Sequence, residues 1–257
     1  MTSLPRLDAI VVGGTGGSGT RVLASLLAAN GMAMPEPRNS AEDWLGLQQF
    51  LRRWSKRILR KTASLDYRFE DLPRATRRGI EADLAAAFGG ALPAAAASGA
   101  VPFGWKNPRS IFVLPVLAHF LPRLSFVHLV RDGRDMALSK NDRQNSLYYE
   151  LLFREPQPED PRLSAARVWR RANLEAMAAG RRLLGPRYHL VRFEDACDPE
   201  SPVLPALVAA LGLPRSETAG LFAAPASIGR WRSLSPDEAA EVIAAAGPAA
   251  LAAVGYT

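Results

Sequence analysis

The chain has 257 residues, and 48% of them are apolar, which is enough to bury one substantial core. We therefore expect a single domain over residues 1–257. The one cysteine, Cys197, excludes an internal disulfide and is typical of a reducing compartment. Neither a signal-peptide pattern nor an apolar run long enough to cross a bilayer is visible, which predicts a cytoplasmic protein without a transmembrane segment.

The formal net charge of +7, from 32 basic and 25 acidic residues, favours an anionic partner. A nucleic acid, a membrane surface and a polyphosphorylated cofactor all fit that charge. The sequence shows no helix-turn-helix, zinc-binding or aromatic–basic repeat, and we therefore expect no nucleic acid partner.

The first element is a strand–loop–helix unit between Ala9 and Leu27. An apolar run ends in a glycine-rich loop, and apolar residues at helical spacing follow the loop. Glycine brings backbone N–H groups close to a ligand, and a helix N-terminus favours negative charge. The unit therefore predicts a cradle for a phosphate or phosphosulfate group. The candidate cradle residues are Gly16, Gly17, Ser18, Gly19 and Thr20.

Three phosphate-binding motifs compete for this loop. Its glycines satisfy GxGxxG, but the acidic residue that a dinucleotide-binding fold places at the end of a second strand is not evident. They also satisfy the GxxxxG of a Walker loop, but Thr20 and Arg21 stand where the lysine and the Mg²⁺-binding hydroxyl belong, which argues against ATP or GTP hydrolysis. The third motif is the Ser-Gly-Thr loop of sulfotransferases, and residues 18–20 fit it directly.

A polar loop and two helices follow. The loop covers Met32–Asp43, and Ser40 is expected to cap the next helix with Asp43 at the capping-box position. Trp44–Lys61 is predicted as a helix with a buried apolar stripe and a basic flank. Such a flank is typical of a solvated face, and it can also draw in an acidic substrate or lipid. Pro73–Phe88 is predicted as a further helix.

A second signature lies in the middle of the chain. A short strand ends at Trp105 and is followed by Lys106, and Pro108 suits the first turn of the helix that comes next. Ser125–Val130 has the composition of a buried parallel strand, and it leads into an RDGRD loop and a predicted helix from Met136. The cations of that loop follow the carboxyl end of the strand, which is where open α/β sheets bind their ligands.

The Ser-Gly-Thr loop, the W-K-x-P turn and the sequence FVHLVRDGRDMALS together resemble the sulfotransferases that use 3′-phosphoadenosine 5′-phosphosulfate (PAPS). The bacterial and tyrosylprotein branch is most similar. The resemblance implies a P-loop-type, three-layer α/β fold with a central parallel sheet flanked by helices. It also implies PAPS as the co-substrate and sulfuryl transfer to a hydroxyl or amine acceptor.

The same resemblance implies residue roles. The Ser-Gly-Thr loop would hold the 5′-phosphosulfate, and Arg131 with Ser139, eight residues later, would hold the 3′-phosphate. Lys106 would contact the sulfuryl group or the leaving phosphate. The chain departs from the family at Gly17, where many members carry arginine. Arg21, directly after the loop, is expected to supply that charge.

The C-terminal half adds two site candidates. Tyr148–Pro161 is polar and interrupted by proline, and we predict an acceptor-site loop there. Ser227–Ser235 is similar to the segment that closes over the nucleotide in this family, which makes Arg230 a candidate contact to the 3′-phosphate. The other predicted elements are helices over Leu163–Leu184, Leu204–Leu211 and Ser216–Phe222, a strand from Tyr188, and a last helix capped by Ser235 with Glu238. The strand is expected to end at Glu194 and Asp195, which we interpret as helix-start residues.

Sulfuryl transfer requires a donor held in line with the acceptor, a stabilised leaving phosphate and a base for the acceptor proton. Lys106, Arg21 and the N-terminus of the first helix are expected to stabilise the charge. The acids of the 32–43 loop are the base candidates, and we favour Glu36 among them. No metal is expected, because a sulfuryl group carries less charge than a phosphoryl group and no carboxylate cluster resembles an Mg²⁺ site.

Two other functions are compatible with parts of the sequence. A P-loop small-molecule kinase would require Mg²⁺ and the missing lysine. A non-catalytic module would use the basic helix to bind a polyanion. The acceptor is also open, since a small molecule, a sugar, a lipid and a peptide all fit, and the sequence does not indicate an oligomeric state.

Overall fold

The computed structural model describes residues 8–89, 102–139, 143–215 and 224–257, with backbone alone at 143–146. Its described residues form a parallel sheet of four strands in the order β2-β1-β3-β4. In this sheet Val12 pairs with Lys106, and Gly13 pairs with His128. The carboxyl ends of the strands therefore meet at one edge. The strands are β1 (Ala9–Gly13), β2 (Phe103–Lys106), β3 (Ser125–Val130) and β4 (Tyr188–Arg192).

Helices connect the strands and account for most of the remaining described residues. They are α1 (Thr20–Ala29), α2 (Leu45–Thr62), α3 (Arg74–Gly89), α4 (Leu114–Phe120), α5 (Gly133–Ala137), α6 (Arg143–Phe153), α7 (Pro161–Leu184), α8 (Phe193–Cys197), α9 (Val203–Ala210), α10 (Pro236–Ala246) and α11 (Pro248–Ala253). Short 3₁₀ turns lie at Phe69–Asp71, Pro108–Val113, Gly185–Arg187 and Arg230–Ser233. None of the helices within the described ranges combines the length and apolarity that crossing a bilayer requires.

The strands separate two apolar cores, because successive side chains point to opposite faces of a sheet. Val11 and Phe126 belong to the larger core, which also contains side chains of α2, α3, α4, α6, α7, α10 and α11. Val12 and Val127 belong to the smaller core with α1, α8 and α9. Helices therefore cover both faces, which confirms the predicted α/β arrangement of a central parallel sheet between helical layers.

Three local predictions were wrong. The helix after the RDGRD loop begins at Gly133, not Met136, because the Asp132 side chain accepts a hydrogen bond from Arg134 N and caps it. Ser40 caps no helix, since α2 begins after Trp44, which makes no side-chain cap. The predicted strand from Tyr188 ends two residues early, at Arg192. The acidic pair Glu194–Asp195 lies in the first turn of α8, which confirms that these acids are helix-start residues.

The predicted acceptor loop Tyr148–Pro161 is also wrong in its first part. Residues 148–153 belong to α6, and Tyr148 and Tyr149 are fully buried. The Tyr148 ring stacks on Phe112 with centroids 4.0 Å apart, and its hydroxyl lies 2.9 Å from Ser55 Oγ. Residues 147–153 are apolar or aromatic except Glu150, and burial of the two rings against the larger core stabilises the helix. The predicted helix Ser216–Phe222 lies outside the described residues.

A fully buried histidine joins the sheet to α7. His128 Nδ1 lies 2.6 Å from the Tyr188 hydroxyl, and Nε2 lies 2.9 Å from Asn173 Oδ1. The Asn173 amide nitrogen donates to Trp169 O at 2.7 Å, so its oxygen must accept from the histidine. The ring is therefore the neutral Nε2–H tautomer with Nδ1 accepting from tyrosine. Burial lowers the pKa of His128 to about 4.

This lowered pKa predicts a pH-dependent stability. The unfolded chain binds a proton near the ordinary pKa of ~6.5, whereas the folded chain does not, so acid favours the unfolded state. We expect the free energy of unfolding to fall by about 2 kcal/mol between pH 7.5 and pH 5 on this account. Urea titrations at several pH values measure it. The free energy of unfolding of His128→Gln should depend much less on pH, whereas that of His119→Gln should depend on pH as in the parent protein. The same pH dependence in the parent and both variants would contradict the assignment to His128.

Candidate active site

The glycine loop lies between β1 and α1 at the carboxyl edge of the sheet. Gly17 and Gly19 have φ angles of +96° and +89°, in the region that favours glycine, and Gly19 is the N-cap of α1. The buried Ser18 hydroxyl donates to Thr15 O at 2.8 Å and closes the turn. The backbone N–H groups at the start of α1 are thereby placed beside the loop, as an anion cradle requires.

The second signature approaches this loop closely. A Cβ atom placed on Gly17 would lie 3.3 Å from Ser139 Oγ. A Cβ atom on Gly19 would overlap the Phe193 ring, and the Arg131 guanidinium lies over that same ring, 4.9 Å from its centroid. The glycine loop, Ser139 and Arg131 therefore border one site, although more than a hundred residues separate the segments in sequence.

Arg131 is only 7% exposed and carries an unused donor. One terminal nitrogen donates to Ser227 Oγ at 2.8 Å, but within the described residues Nε has no hydrogen-bond partner and no carboxylate forms an ion pair with the side chain. Thr15 Oγ1, in the glycine loop, is likewise buried without a partner there. A buried donor left unpaired costs about 1–3 kcal/mol, so these groups fit an anionic ligand.

Arg230 is held beside Arg131 by the buried residue Asp135. Arg230 Nε donates to Asp135 O at 3.0 Å. The Asp135 carboxylate accepts from Gly229 N at 2.7 Å and from Trp231 N at 3.1 Å, which fixes the 229–231 segment on α5. Burial, followed by the charge of Arg131, lowers the pKa of Arg230. Arg131 and Arg230 repel each other, and a group with two negative charges, such as a phosphate, would relieve this repulsion.

A second set of contacts holds the RDGRD loop against the C-terminal part of the chain. Asp132 pairs with Arg134 at 2.8 Å, and Arg134 lies over the Trp231 ring, 4.1 Å from its centroid. Asp132 N donates to Glu194 at 3.1 Å, and the Tyr256 hydroxyl donates to the same carboxylate at 2.6 Å. Sequence reasoning missed the roles of these residues and of Asp135; the acidic residues alternating with arginines in RDGRD were the available signal.

Lys106 lies at the end of β2 and is buried. Its Nζ donates to Asp43 Oδ1 at 2.6 Å and to Ala41 O. Asn107 N donates to Val12 O at 3.2 Å, which places the lysine next to the start of the glycine loop. The exposed Arg21 reaches the same 40–43 loop, with Nη1 3.4 Å from Ser40 O. The two predicted charge-stabilising residues therefore contact one loop.

The acids of the polar loop differ in their surroundings. The Glu36 side chain is 64% exposed and accepts from Arg38 Nε at 2.9 Å, and this hydrogen bond lowers the pKa of Glu36. Glu42 binds the other side of the Arg38 guanidinium at 2.6 Å. Asp43 is bound to Lys106. Glu36 is thus the most exposed of the three acids in this loop, and Asp43 is bound to the lysine.

Metal-ligating side chains do not cluster within the described residues, where no group of three His, Cys, Asp or Glu side chains could hold an ion.

Solved sulfotransferase structures share this fold. The sulfotransferase domain of the olefin synthase from Synechococcus PCC 7002 matches with a TM-score of 0.51 and 18% identity, over 93% of this chain and 92% of that chain. The sulfotransferase domain from the curacin biosynthetic pathway matches with a TM-score of 0.51 and 14% identity, over 100% and 99%. Sulfotransferase STF9 from Mycobacterium avium matches with a TM-score of 0.52 and 14% identity, over 99% and 78%. The predicted P-loop-type α/β fold is thereby confirmed.

A search of the curated proteins gives no match. A sequence model described as the sulfotransferase family matches residues 9–217, which is well over half of the chain and includes the glycine loop, Lys106 and the RDGRD segment. The chain therefore belongs to the sulfotransferase family, and its activity is sulfuryl transfer.

Proposed function

We propose that this enzyme takes its sulfuryl group from PAPS and transfers it, without a metal ion, to a hydroxyl or amine acceptor. The observation that carries the proposal is the approach of the glycine loop to the Arg131–Ser139 segment, with Ser139 Oγ 3.3 Å from the Cβ position of Gly17. One adenosine that carries phosphate groups on both the 3′ and the 5′ oxygen of its ribose can contact both sides of such a site. The unpaired donors Arg131 Nε and Thr15 Oγ1 fit that molecule chemically.

The chain supplies a separate binding group for each end of the donor. The loop residues Gly16–Thr20 and the N-terminus of α1 would hold the 5′-phosphosulfate, because their N–H groups and the helix dipole favour negative charge. Arg131, Ser139 and Arg230 would hold the 3′-phosphate. Fixing both ends orients the sulfur atom toward the acceptor, which is how positioning lowers the barrier.

During transfer the acceptor oxygen or nitrogen forms a bond to sulfur while the bond from sulfur to the phosphate oxygen breaks. Negative charge grows on the leaving 3′-phosphoadenosine 5′-phosphate (PAP), where Lys106 and Arg21 would stabilise it. Glu36 would accept the acceptor's proton, since it is an exposed, ionised carboxylate. Asp43 would hold Lys106 in place, because its carboxylate is occupied by that ammonium group.

We further propose that the acceptor is a small molecule, a sugar, a lipid or a peptide and that the enzyme acts in the cytoplasm as one domain. A sulfuryl-transfer screen with labelled PAPS over these acceptor classes identifies the class directly. Transfer to the acceptors of one class only would define the substrate.

The donor assignment is tested by calorimetric titration of the enzyme with PAP in EDTA and with ATP in Mg²⁺. We expect tighter binding of PAP and no requirement for metal, because the loop lacks the Walker lysine. Preference for ATP with Mg²⁺ would contradict PAPS as the donor and favour phosphoryl transfer.

Substitution of the 3′-phosphate residues should weaken nucleotide binding. Arg131→Ala removes a charged hydrogen-bond donor, and we expect the Kd for PAP to rise roughly tenfold to hundredfold. Ser139→Ala should raise it by roughly fivefold. Both variants should bind adenosine 5′-phosphosulfate, which lacks the 3′-phosphate, as the parent does. Arg123→Ala, which removes an exposed arginine paired with Asp8, is the matched control and should leave the Kd unchanged.

Lys106 and Glu36 should affect kcat more than donor affinity. Lys106→Ala is expected to lower kcat by about 10²–10³-fold with little change in the Kd for PAPS, since the lysine acts on charge that develops in the transition state. Because this change leaves Asp43 buried and unpaired, the double variant Lys106→Met/Asp43→Asn is measured beside it. Equal losses of kcat and donor affinity would contradict the role given to Lys106.

Glu36→Gln is expected to lower kcat by about 10²–10⁴-fold. Glu42→Gln is its matched control, because both carboxylates bind Arg38 and lie in the same loop. A large decrease in kcat for Glu42→Gln, with no decrease for Glu36→Gln, would contradict the assignment of Glu36 as the base.

A further inference from the structure

The positive charge of the chain is concentrated on two neighbouring helices. Nine basic and two acidic residues lie in α2 and α3, a net charge of +7 that equals the formal net charge of all 257 residues. The remainder of the sequence is therefore balanced. Since α2 has 18 residues, it extends about 27 Å away from the 40–43 loop, so most of this charge lies away from the proposed donor site.

A groove of about 530 Å³ runs between the two helices. The α2 side is cationic, and the α3 side consists mainly of small residues. Asp83 in this groove is neutralised by Arg53 at 2.8 Å and also accepts from Trp54 Nε1 at 2.9 Å. The groove-lining residues are Arg53, Trp54, Arg57, Arg60, Lys61, Ala75, Thr76, Gly79 and Asp83.

Three of these cations are available to a ligand. Arg57, Arg60 and Lys61 are exposed, and across the described part of the chain none of them forms an ion pair. They recur on α2 at steps of three or four residues from Arg53, which places successive charges about 6 Å apart along the groove. Acidic side chains one turn apart on another helix have the same spacing.

The groove does not have the features of a membrane-binding or base-stacking surface. Membrane-surface helices present an apolar face, but the apolar side chains of α2 are buried in the larger core, and among the described residues Val22 of α1 is the only large apolar residue that is exposed. Single-stranded nucleic acids stack on exposed aromatic rings, whereas Trp54 is 4% exposed. The small side chain of Ala75 instead lets another backbone lie close to α3, while the Trp54 ring packs against Gly79.

We propose that the groove between α2 and α3 binds an acidic helical segment of a partner protein. Carboxylates along one edge of that segment pair with Arg57 and with the Arg60–Lys61 end of α2, and its small residues lie against Ala75. Such contacts steer association and fix the register of the partner, and they weaken as salt increases. The groove is thus a second recognition surface, separate from sulfuryl transfer.

The test uses the whole enzyme and a fluorescein-labelled alanine-based peptide that is held helical by a hydrocarbon staple and carries Glu at every fourth position. Fluorescence anisotropy gives the Kd at several salt concentrations. Arg57→Gln/Lys61→Gln removes two groove charges, and Arg52→Gln/Lys56→Gln removes two charges of the same helix that do not line the groove. Binding of PAP to each variant confirms that the donor site is intact.

We expect the groove variant to weaken peptide binding about tenfold and the control variant by less than about threefold, since exposed pairs each contribute up to about 1 kcal/mol. The same peptide with Gln in place of Glu should not bind. If Arg57→Gln/Lys61→Gln and Arg52→Gln/Lys56→Gln weaken peptide binding equally, the attraction is diffuse and electrostatic, and the proposal is overturned. Tighter binding of duplex DNA or of phosphatidylserine vesicles with the same sensitivity to Arg57→Gln/Lys61→Gln would also overturn it.

Discussion

Two glycines without a Cβ allow the glycine loop to lie against segments that follow β3 and β4. At Gly17 the adjacent group is Ser139, and at Gly19 it is the Phe193 ring on which Arg131 rests. Positive φ at both glycines directs the backbone of the loop into the first turn of α1. The same two residues therefore set the direction of the backbone and the distance of the loop from Ser139 and Phe193. The proposed anion cradle, the Arg131 cation beside it and the site that both border all depend on this close approach.

The cations opposite the loop are fixed by hydrogen bonds and have little freedom to move. Asp135 binds the backbone at Gly229 and Trp231, and its own carbonyl accepts from Arg230. The C-terminal segment is therefore part of the RDGRD site even though it is distant in sequence. Donors held in this way need little reorganisation when charge develops near them, which is the condition for efficient electrostatic stabilisation.

Local patterns predicted the sheet, most helices and the two signatures because these depend on hydrophobic periodicity and on glycine, proline and capping chemistry. The prediction failed at Tyr148–Phe153, where the apolar run before the proline-rich residues is helical because both tyrosines are buried by tertiary packing. Periodicity also gave no basis for pairing Asp43 with Lys106, since that ion pair joins residues 63 positions apart. The roles of Asp135, Glu194 and Tyr256 were missed for the same reason: each carboxylate or hydroxyl acts on backbone or side chains brought close only by the fold.

The surroundings of Lys106 explain how the fold stabilises a buried cation. Removing an ammonium group from water is costly, and here Asp43 and Ala41 O replace the lost water. The fold therefore meets that cost before any substrate arrives. Arg21 is bound to the neighbouring Ser40 carbonyl, so one loop orients both cations. Because Asp43 and Glu36 belong to the same loop, the position of Lys106, the proposed charge-stabilising residue, is linked through the backbone to the proposed base. A shift of the loop would change the environment of both groups together.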